Sequence, residues 1–502
     1  MANMKLKTKY YYFEKFKASL LVFLIILCIV QVGILWSSQS DSLPISLFSD
    51  SYTEYQVASV DKSKGNYLLP YRVVISTGYD SEHYIIPNKS HEYNTLWEGA
   101  ARYLEQALIN KPKKTQPFAE EAWGTLVANK PYTFEFKTQI PIEIVKWALG
   151  IKGSEFGQGL TNIYKIVICP DDPDNSYSDT LYIRDEKNIY TYAVADFKDN
   201  KLEKKEFKKL YEAKKDDTSA KNYQMGIEQF AKIMASDLLG PLSHKSIEDY
   251  PSISCNSITG LKGQVDNVDD YKAVSESIFG KSGESRNAYP DVDVNGSAVL
   301  KKKDSIYRIH NNSIIEYTYI GSQGSTQKTN VLDAYNNAVQ FIIGQHSLQD
   351  TFKSGISIYL TSYKESANSF EFNFDYSIPL GDGKGEVPIL LKNYELPSDS
   401  KKQVNSCISV QVSSERVIHC NWLALKFEVG KSAESYSWDF INMQQKVIDA
   451  NEELKNQESF TKDFGIYYVL SYPKTSENKV TPSFVLFTND NSYDILIEED
   501  SK

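Results

Sequence analysis

The residues best spaced for metal chemistry in this 502-residue chain lie in the segment DVDVNGSAVLKK, residues 291–302. Its first six residues, DVDVNG, have the spacing of the first half of a calcium-binding loop. The twelfth position of such a loop needs a glutamate that supplies two oxygens, but this chain has Lys302 there. An Asn-Gly turn between two antiparallel strands explains the same residues without a metal. The segment therefore predicts a β-hairpin.

Sequence signatures of catalysis are absent. The six histidines are scattered and form neither an H-E-x-x-H nor an H-x-H cluster. No G-x-S-x-G motif and no cysteine-centred catalytic signature occurs. The segment GDGKGE, residues 381–386, lacks the spacing and the following helix of a phosphate-binding loop, and it predicts a hairpin tip. We therefore predict that the chain is not an enzyme and has no catalytic residue, metal site or cofactor.

The composition excludes one class of partner and favours one type of secondary structure. The formal net charge is −10, whereas a protein that binds nucleic acid needs a basic face to contact phosphates. We therefore predict no nucleic-acid partner. Tyrosine contributes 35 of the 502 residues and alternates with Ile, Val and Phe in short runs, a pattern typical of half-buried β-strands.

An uncharged segment near the N-terminus predicts a single membrane anchor. Residues 18–36 are nineteen residues without a charge, which is enough to cross the hydrocarbon core of a bilayer as a helix. This run is longer than the apolar core of a cleaved signal peptide. Lys15 and Lys17 precede it and the next lysine is Lys62, so the positive-inside rule places the N-terminus in the cytoplasm. Trp36 suits the opposite membrane interface, and the bulk of the chain is expected to be extracytoplasmic.

One polar residue, Gln31, interrupts this apolar segment. At helical spacing it shares a face with three other residues, and the complete face is Leu24, Cys28, Gln31 and Leu35. An amide that faces lipid has no hydrogen-bond partner, so this face is predicted to contact a partner helix. The alternative, a single-pass anchor that merely tolerates the glutamine, stays open.

The order of strand and helix patterns predicts the organisation of the chain. It favours an α+β fold, in which an N-terminal single transmembrane helix is followed by two or three extracytoplasmic mixed domains with antiparallel sheets. A charged run that ends near residue 220 marks one border, and a new helical pattern near 326 marks another. The predicted units are a basic cytoplasmic tail (1–17), the transmembrane helix (18–36), a stalk (37–58) and α+β domains at 59–220, 221–325 and 326–502.

Two cysteines lie in the segment CISVQVSSERVIHC, which has the pattern of a strand pair. A hairpin that turns at Ser413 and Ser414 places Cys407 directly opposite Cys420. The pair is therefore a candidate disulfide. Two free thiols on a half-buried strand pair are the alternative, because the pairing depends on the position of the turn.

Several stretches of the sequence resemble the YycH family of bacterial regulators. The resemblance rests on PYRVVIST with LWEGAARYLEQAL, on FEFKTQIPIEIVKWALG and on the tyrosine-rich SIIEYTY. It extends to FEFNFDYSIPL and the following VPILL. These motifs are strand patterns spread over most of the chain rather than one chemical signature. A departure is Phe484 in TPSFVLF, where the family pattern leads us to expect tryptophan.

The resemblance implies a regulatory role. YycH-like proteins act with a related single-pass partner, YycI, on a membrane sensor histidine kinase of the WalK (YycG) type, and this two-component system controls cell-wall metabolism. Contacts between transmembrane helices are part of that regulation, which agrees with the interpretation of Gln31. Two alternatives remain: an extracytoplasmic module that binds a peptide or glycan, and a surface-anchored hydrolase.

Overall fold

A computed structural model describes residues 68–499, and all of these lie within one unit, Lys62–Lys502. Within that range the following residues are not described: 89, 150, 152–158, 170–179, 194–201, 203, 218–221, 231–233, 242–245, 258–267, 281–288, 293–296, 322–329, 381–383, 397–398, 414–415, 456–460, 473–478 and 489–490. The predicted transmembrane helix, 18–36, lies outside the described residues, as do the tail and the stalk that flank it. Of the helices that the structure describes, none has the length and apolar character needed to cross a membrane.

The described chain combines helices with mostly antiparallel sheets, which confirms the predicted α+β class. The helices are α1 (His91–Ile109), α2 (Glu120–Ala128), α3 (Ile142–Ala148), α4 (Lys204–Asp216), α5 (Val268–Phe279), α6 (Val331–Gly344), α7 (His346–Lys353), α8 (Phe440–Ala450) and α9 (Glu452–Lys455). A π-helical turn occupies Gly226–Phe230.

The N-terminal part of the described chain forms a nine-stranded sheet. Its strands are β1 (Arg72–Ser76), β2 (His83–Pro87), β3 (Lys114–Pro117), β4 (Tyr132–Pro141), β5 (Asn162–Cys169), β6 (Thr180–Arg184), β7 (Asn188–Ala193), β8 (Tyr223–Met225) and β9 (Leu239–Pro241). Their spatial order is β3-β7-β6-β5-β4-β1-β2-β8-β9, with neighbours antiparallel. Side chains alternate between the faces: Val73 and Ile75 enter the main core, whereas Val74 enters a smaller core on the other face.

Helix α1 covers part of this sheet, and of the two caps that its sequence allows, Ser90 and Asn94, the structure has Ser90. The Ser90 hydroxyl accepts a hydrogen bond from the backbone N–H of Tyr93 at 3.2 Å, which satisfies one of the unpaired donors of the first turn. The helical period predicts an apolar face of Tyr93, Trp97, Ala100, Leu104 and Ala107, and all of these are buried except Trp97, which is partly buried. Burial of this face against β2 and β6 confirms the helical pattern predicted for this segment.

The remaining strands form three further sheets. They are β10 (Ser246–Ser257), β11 (Tyr289–Val292), β12 (Ala298–Lys301), β13 (Ser305–Ile309), β14 (Ile314–Tyr319), β15 (Ser357–Glu365), β16 (Phe370–Pro379), β17 (Glu386–Lys392), β18 (Glu395–Leu396), β19 (Asp399–Gln403), β20 (Ile408–Ser413), β21 (Arg416–Leu423), β22 (Leu425–Trp438), β23 (Asp463–Ser471), β24 (Lys479–Val480), β25 (Pro482–Phe487), β26 (Ser492–Leu496) and β27 (Glu498–Glu499). A twelve-stranded sheet has the order β11-β12-β13-β14-β21-β20-β16-β17-β23-β25-β26, and β15 pairs with β16. The order β24-β10-β22-β27 makes a four-stranded sheet, and β18 pairs with β19.

From Trp438 to about residue 456 the sequence pattern predicts one long helix, but the helix in the structure is shorter. Helix α8 is capped by the Asp439 carboxylate, which accepts from the Asn442 N–H at 2.8 Å, and it ends at Ala450. Asn451 has an extended backbone, and its side-chain amide donates to the Val447 carbonyl at 2.7 Å. This side-chain hydrogen bond satisfies a carbonyl group in the last turn of the helix. The helix ends there, and α9 follows as a separate turn.

Two hairpins predicted from the sequence are present. In the calcium-like segment, β11 and β12 pair antiparallel, and the Lys301 ammonium lies 2.5 Å from Asp291 Oδ2. The first acidic position of that segment therefore pairs with a lysine of the next strand. The glycine-rich segment likewise joins β16 to β17, with Pro379 opposite Glu386. Over the residues that the structure describes, no three His, Cys, Asp or Glu side chains group as metal ligands.

The predicted pairing of the two cysteines is wrong. Cys420 lies opposite Val410, and the Leu423 N–H donates to the Cys407 carbonyl at 2.8 Å. The register differs because Ser413 lies opposite Arg416 and because an irregularity between Gln411 and Val412 leaves an extra residue in β21. Both cysteines are buried free thiols in this structure rather than a disulfide.

The domain borders predicted near residues 220 and 325 stay a prediction. The nine-stranded sheet includes β8 and β9, which follow residue 220. Strand β10 pairs with β22 over most of its length, and β14 pairs with β21. Strands on either side of each predicted border are therefore joined by backbone hydrogen bonds.

Candidate functional site

Four charged residues form a row across neighbouring strands of the nine-stranded sheet. Directly paired positions join Arg72 of β1 to Glu135 of β4, Glu135 to Lys165 of β5, and Lys165 to Arg184 of β6. Directly opposite residues point to the same face of a sheet, so the four side chains are neighbours. The row has three cations and one anion, so a further negative charge beside it is favourable.

Asp237 supplies that charge from the chain between the π-helical turn and β9. Its Oδ2 atom accepts hydrogen bonds from Lys165 Nζ at 2.7 Å, from Arg184 Nη1 at 2.9 Å and from Trp123 Nε1 at 2.7 Å. Three donors on one carboxylate, two of them charged, make a strong interaction inside the protein. Asp237 therefore fixes the segment before β9 to the middle of the sheet.

Glu135 occupies the other side of the row and is 1% exposed. Its carboxylate accepts from Lys165 Nζ at 2.8 Å, from the Tyr71 hydroxyl at 3.1 Å and from Arg72 Nε. Burial alone raises the pKa of a carboxyl group, but the adjacent cations Arg72 and Lys165 override burial and lower the pKa of Glu135. Both of its oxygens are satisfied, so Glu135 is a structural anion rather than a proton acceptor.

The pKa of Asp237 is also lowered by neighbouring cations. Burial raises its pKa, but the charges of Lys165 and Arg184 dominate and lower the pKa to about 2. The carboxylate of Asp237 is consequently ionised in the folded protein over the whole physiological range.

The low pKa of Asp237 leads to a pH prediction. Because its folded-state pKa lies below the ordinary value of about 3.9, ionised Asp237 stabilises the folded protein fully above about pH 4. This contribution, about 2–3 kcal/mol, is lost as the pH falls from about 4 to about 2. We expect the difference in unfolding free energy between wild type and Asp237→Asn to shrink over that range in urea titrations of the full chain in detergent. A difference that stays constant from about pH 6 to pH 2 would contradict the assignment.

A cavity of about 650 Å³ lies beside this row, between the nine-stranded and twelve-stranded sheets. Its polar lining includes Tyr71, Arg72 and Lys137 from the first sheet and Tyr359, Glu386 and Tyr467 from the second. The pairing of β4 with β5 shifts between Glu135 and Ile140, and Lys137 lies in this irregular part of the strand. The irregularity turns Lys137 from the sheet toward the cavity.

The ammonium group of Lys137 lies in the cavity wall among aromatic rings. Its Nζ atom lies 4.1 Å from the centre of the Tyr71 ring and 5.8 Å from the centre of the Tyr467 ring, which are cation–π distances. Burial lowers the pKa of Lys137, and the attraction of Asp463 only partly opposes this shift. In the described part of the chain, no carboxylate forms an ion pair with Lys137.

The hairpin between β16 and β17 closes the cavity on the opposite side. Glu386 accepts from the Ser377 hydroxyl at 2.9 Å, from the Asn88 amide at 3.4 Å and from the Ser357 hydroxyl. Gly385 precedes it with a φ of +94°, and a Cβ atom there would lie 2.8 Å from Pro87 Cβ. Glycine at this position therefore lets the hairpin tip approach the first sheet closely.

A serine, a histidine and a glutamate also meet in the twelve-stranded sheet, as in a hydrolase triad. The Ser297 hydroxyl lies 2.8 Å from His310 Nδ1, and His310 Nε2 lies 3.3 Å from the Glu316 carboxylate. These residues are 4%, 0% and 7% exposed, respectively, and none of them lines the cavity. A nucleophile must reach its substrate, so this buried cluster gives the hydrolase alternative no support.

None of the predicted membrane-contact residues can be compared with this site. The predicted partner-helix face is Leu24, Cys28, Gln31 and Leu35, and the predicted interface residues are Lys15, Lys17 and Trp36. All of them lie outside the described residues. The charged row and Lys137 were in turn missed from the sequence. Their only local signal is a charged residue within an apolar strand pattern, as in YRVVIS, IYKIVIC and LYIRD.

The fold and the cavity together define an α+β protein with room for a small ligand. The family model described as YycH protein, N-terminal domain, matches residues 14–217. This match agrees with the resemblance to the YycH family noted in the sequence, and it covers the N-terminal part of the chain.

Two solved structures match the chain at low sequence identity. YycH from Bacillus subtilis is 11% identical, with a TM-score of 0.49 over 86% of this chain and 96% of that chain. An uncharacterized protein from Eubacterium rectale is 10% identical, with a TM-score of 0.27 over 52% of this chain and 86% of that chain. Among curated proteins, no sequence matches this chain significantly.

Proposed function

We propose that the chain is a membrane-anchored accessory regulator of a two-component sensor histidine kinase that controls cell-wall metabolism. It acts through contacts of its transmembrane helix and its extracytoplasmic domains with a WalK/YycG-type kinase and a YycI-like partner. The observation that carries this proposal is the family match at residues 14–217, which includes the apolar segment 18–36. The matched range joins the uncharged segment 18–36 to the first strands of the nine-stranded sheet.

The sequence of the segment supports the proposed topology. Its nineteen uncharged residues suit a single crossing, and the lysines before it favour a cytoplasmic N-terminus. The described sheets then lie on the extracytoplasmic side of the cell membrane, together with the cavity.

The proposed mechanism is a population shift in the kinase. A regulator changes the output of a two-state kinase only if it contacts the two states with different free energies. The face Leu24, Cys28, Gln31 and Leu35 is the proposed contact of the helix. In lipid, a hydrogen bond from the Gln31 amide to a neighbouring helix contributes about 0.6–2 kcal/mol, and its direction makes it specific.

Substitutions on this face are expected to weaken the complex. For Gln31→Leu we expect co-purification of the kinase and the YycI-like partner to fall about 3-fold to 30-fold, since about 0.6–2 kcal/mol of hydrogen bonding is lost. Cys28→Trp places a bulky ring on the same face and is expected to act in the same direction. Both variants are measured in intact cells by crosslinking from the helix and by the phosphorylated fraction of the response regulator.

The matched control is Ile26→Trp, because Ile26 lies on the opposite side of the helix. It adds the same ring but is expected to leave co-purification unchanged. Equal effects of Cys28→Trp and Ile26→Trp, or unchanged kinase output in Gln31→Leu, would count against the proposed face.

The cavity favours a second candidate function, an extracytoplasmic module that binds a small molecule or peptide. Its volume and its mixture of aromatic and charged groups are those of a binding site. This function would be favoured over the first if a variant without the helix face still bound ligand and still regulated the kinase.

A further inference from the structure

The cavity between the two large sheets has the size and lining of a small-molecule site. Its volume of about 650 Å³ suits a ligand of drug-like size. The apolar part of its lining includes Phe136 from β4, Ile358 from β15 and Phe464 from β23. These side chains come from three different strands, so a bound apolar group would be enclosed on several sides.

Two cations, Arg72 and Lys137, and one carboxylate, Glu386, line the cavity. Arg72 reaches the cavity but is neutralised by Glu135. Lys137 has aromatic rings around its ammonium group and no ion-pair partner among the described residues. A half-buried ammonium without a counter-ion is unfavourable, and an incoming anion would remove that cost.

The surrounding carboxyl groups restrict the charge of such an anion. Three of them act on the Lys137 charge from beyond ion-pair distance: Asp463, Glu135 and Asp375. They would repel a ligand that carries two or more negative charges. The surroundings therefore favour a single negative charge joined to an apolar body.

We infer that the cavity binds a small monocarboxylate, with its carboxylate on the Lys137 ammonium and its apolar body between Phe136, Ile358 and Phe464. The hydroxyl groups of Tyr359 and Tyr467 lie in the same wall and are available as neutral donors, since burial raises the pKa of both. This inference does not depend on the proposed kinase partnership, because it rests on the described residues alone.

Two matched probes test the charge requirement. N-acetylphenylalanine carries one carboxylate and an aromatic body, and N-acetylphenylalaninamide is its neutral counterpart. We expect calorimetry on the full chain in detergent to show saturable binding of the carboxylate, with the amide at least about tenfold weaker. Absence of saturable binding up to roughly 10 mM, or equal affinity for the two probes, would overturn the inference.

Substitutions at Lys137 test whether its ammonium group binds the carboxylate of the ligand. Lys137→Met is expected to remove the preference for the carboxylate, whereas Lys137→Arg is expected to retain it. The control is Lys426→Met, because the Lys426 side chain is 61% exposed and lies outside the cavity lining. A carboxylate preference that survives in Lys137→Met would contradict the assigned position.

A second measurement needs no substitution and therefore no assumption about folding. The wild-type chain is treated with an amine-acylating reagent, and modification of Lys137 and Lys426 is followed by peptide mass spectrometry. N-acetylphenylalanine is expected to slow modification of Lys137 several-fold and to leave Lys426 unchanged, whereas the amide protects neither. Equal rates at Lys137 with and without the carboxylate would overturn the inference.

Discussion

Replacement of Asp237 by alanine is expected to lower the free energy of unfolding by about 3–5 kcal/mol. The loss has this size because Arg184 loses its ion pair with Asp237, Lys165 keeps only Glu135, and the Trp123 N–H loses its acceptor. Urea titration of the full chain in detergent gives the overall effect. Hydrogen exchange of the amides in β4, β5 and β6 gives the local effect, which is expected to be largest there.

The control for this prediction is Asp291→Ala in the hairpin β11–β12. Asp291 and Lys301 also form an ion pair, but their side chains are 53% and 49% exposed. Water and salt screen such a pair, so its loss is expected to cost less than about 1 kcal/mol. If Asp237→Ala and Asp291→Ala had similar effects, the buried row would not be the structural centre of the nine-stranded sheet.

Trp422→Ala is expected to destabilise the twelve-stranded sheet by about 3–5 kcal/mol. Trp422 is 1% exposed and packs edge-on against Tyr307 and Phe341, with ring centres 6.4 Å away in both cases. Its Nε1 atom donates to the Ser347 hydroxyl at 3.1 Å. The substitution therefore creates a large cavity and removes a buried hydrogen bond at the junction of β21 with α6 and α7.

Two further variants separate these contributions. Trp422→Phe keeps most of the ring volume but not the donor, so its loss of stability is expected to be clearly smaller than that of alanine. Leu496→Ala removes an apolar side chain that is 62% exposed and is expected to change stability by less than about 0.5 kcal/mol. A Trp422→Ala variant that unfolds at the wild-type urea midpoint would show that this packing does not support the sheet.

Local sequence patterns were sufficient to predict the fold class and several individual helices and strands. The alternation of YRVVIS and the helical period of the segment after Ser90 are visible in the sequence because burial on one face repeats every two or every 3.6 residues. The hairpin at β11–β12 was predictable because its turn chemistry is local. By contrast, the register of Cys407 and Cys420 depends on an irregularity in β21, and one shifted residue moves every later pair.

The sequence by itself determined the α+β class and the apolar segment that we propose as a membrane anchor. Each of these follows from composition or from periodicity within a few residues. Only the tertiary structure decided the charged row, because Arg72, Glu135, Lys165 and Arg184 come from separate strands that the order of the sheet makes neighbours. It also decided that Lys137 lines a cavity without a carboxylate partner among the described residues, since the two walls of that cavity are more than 200 residues apart in the chain.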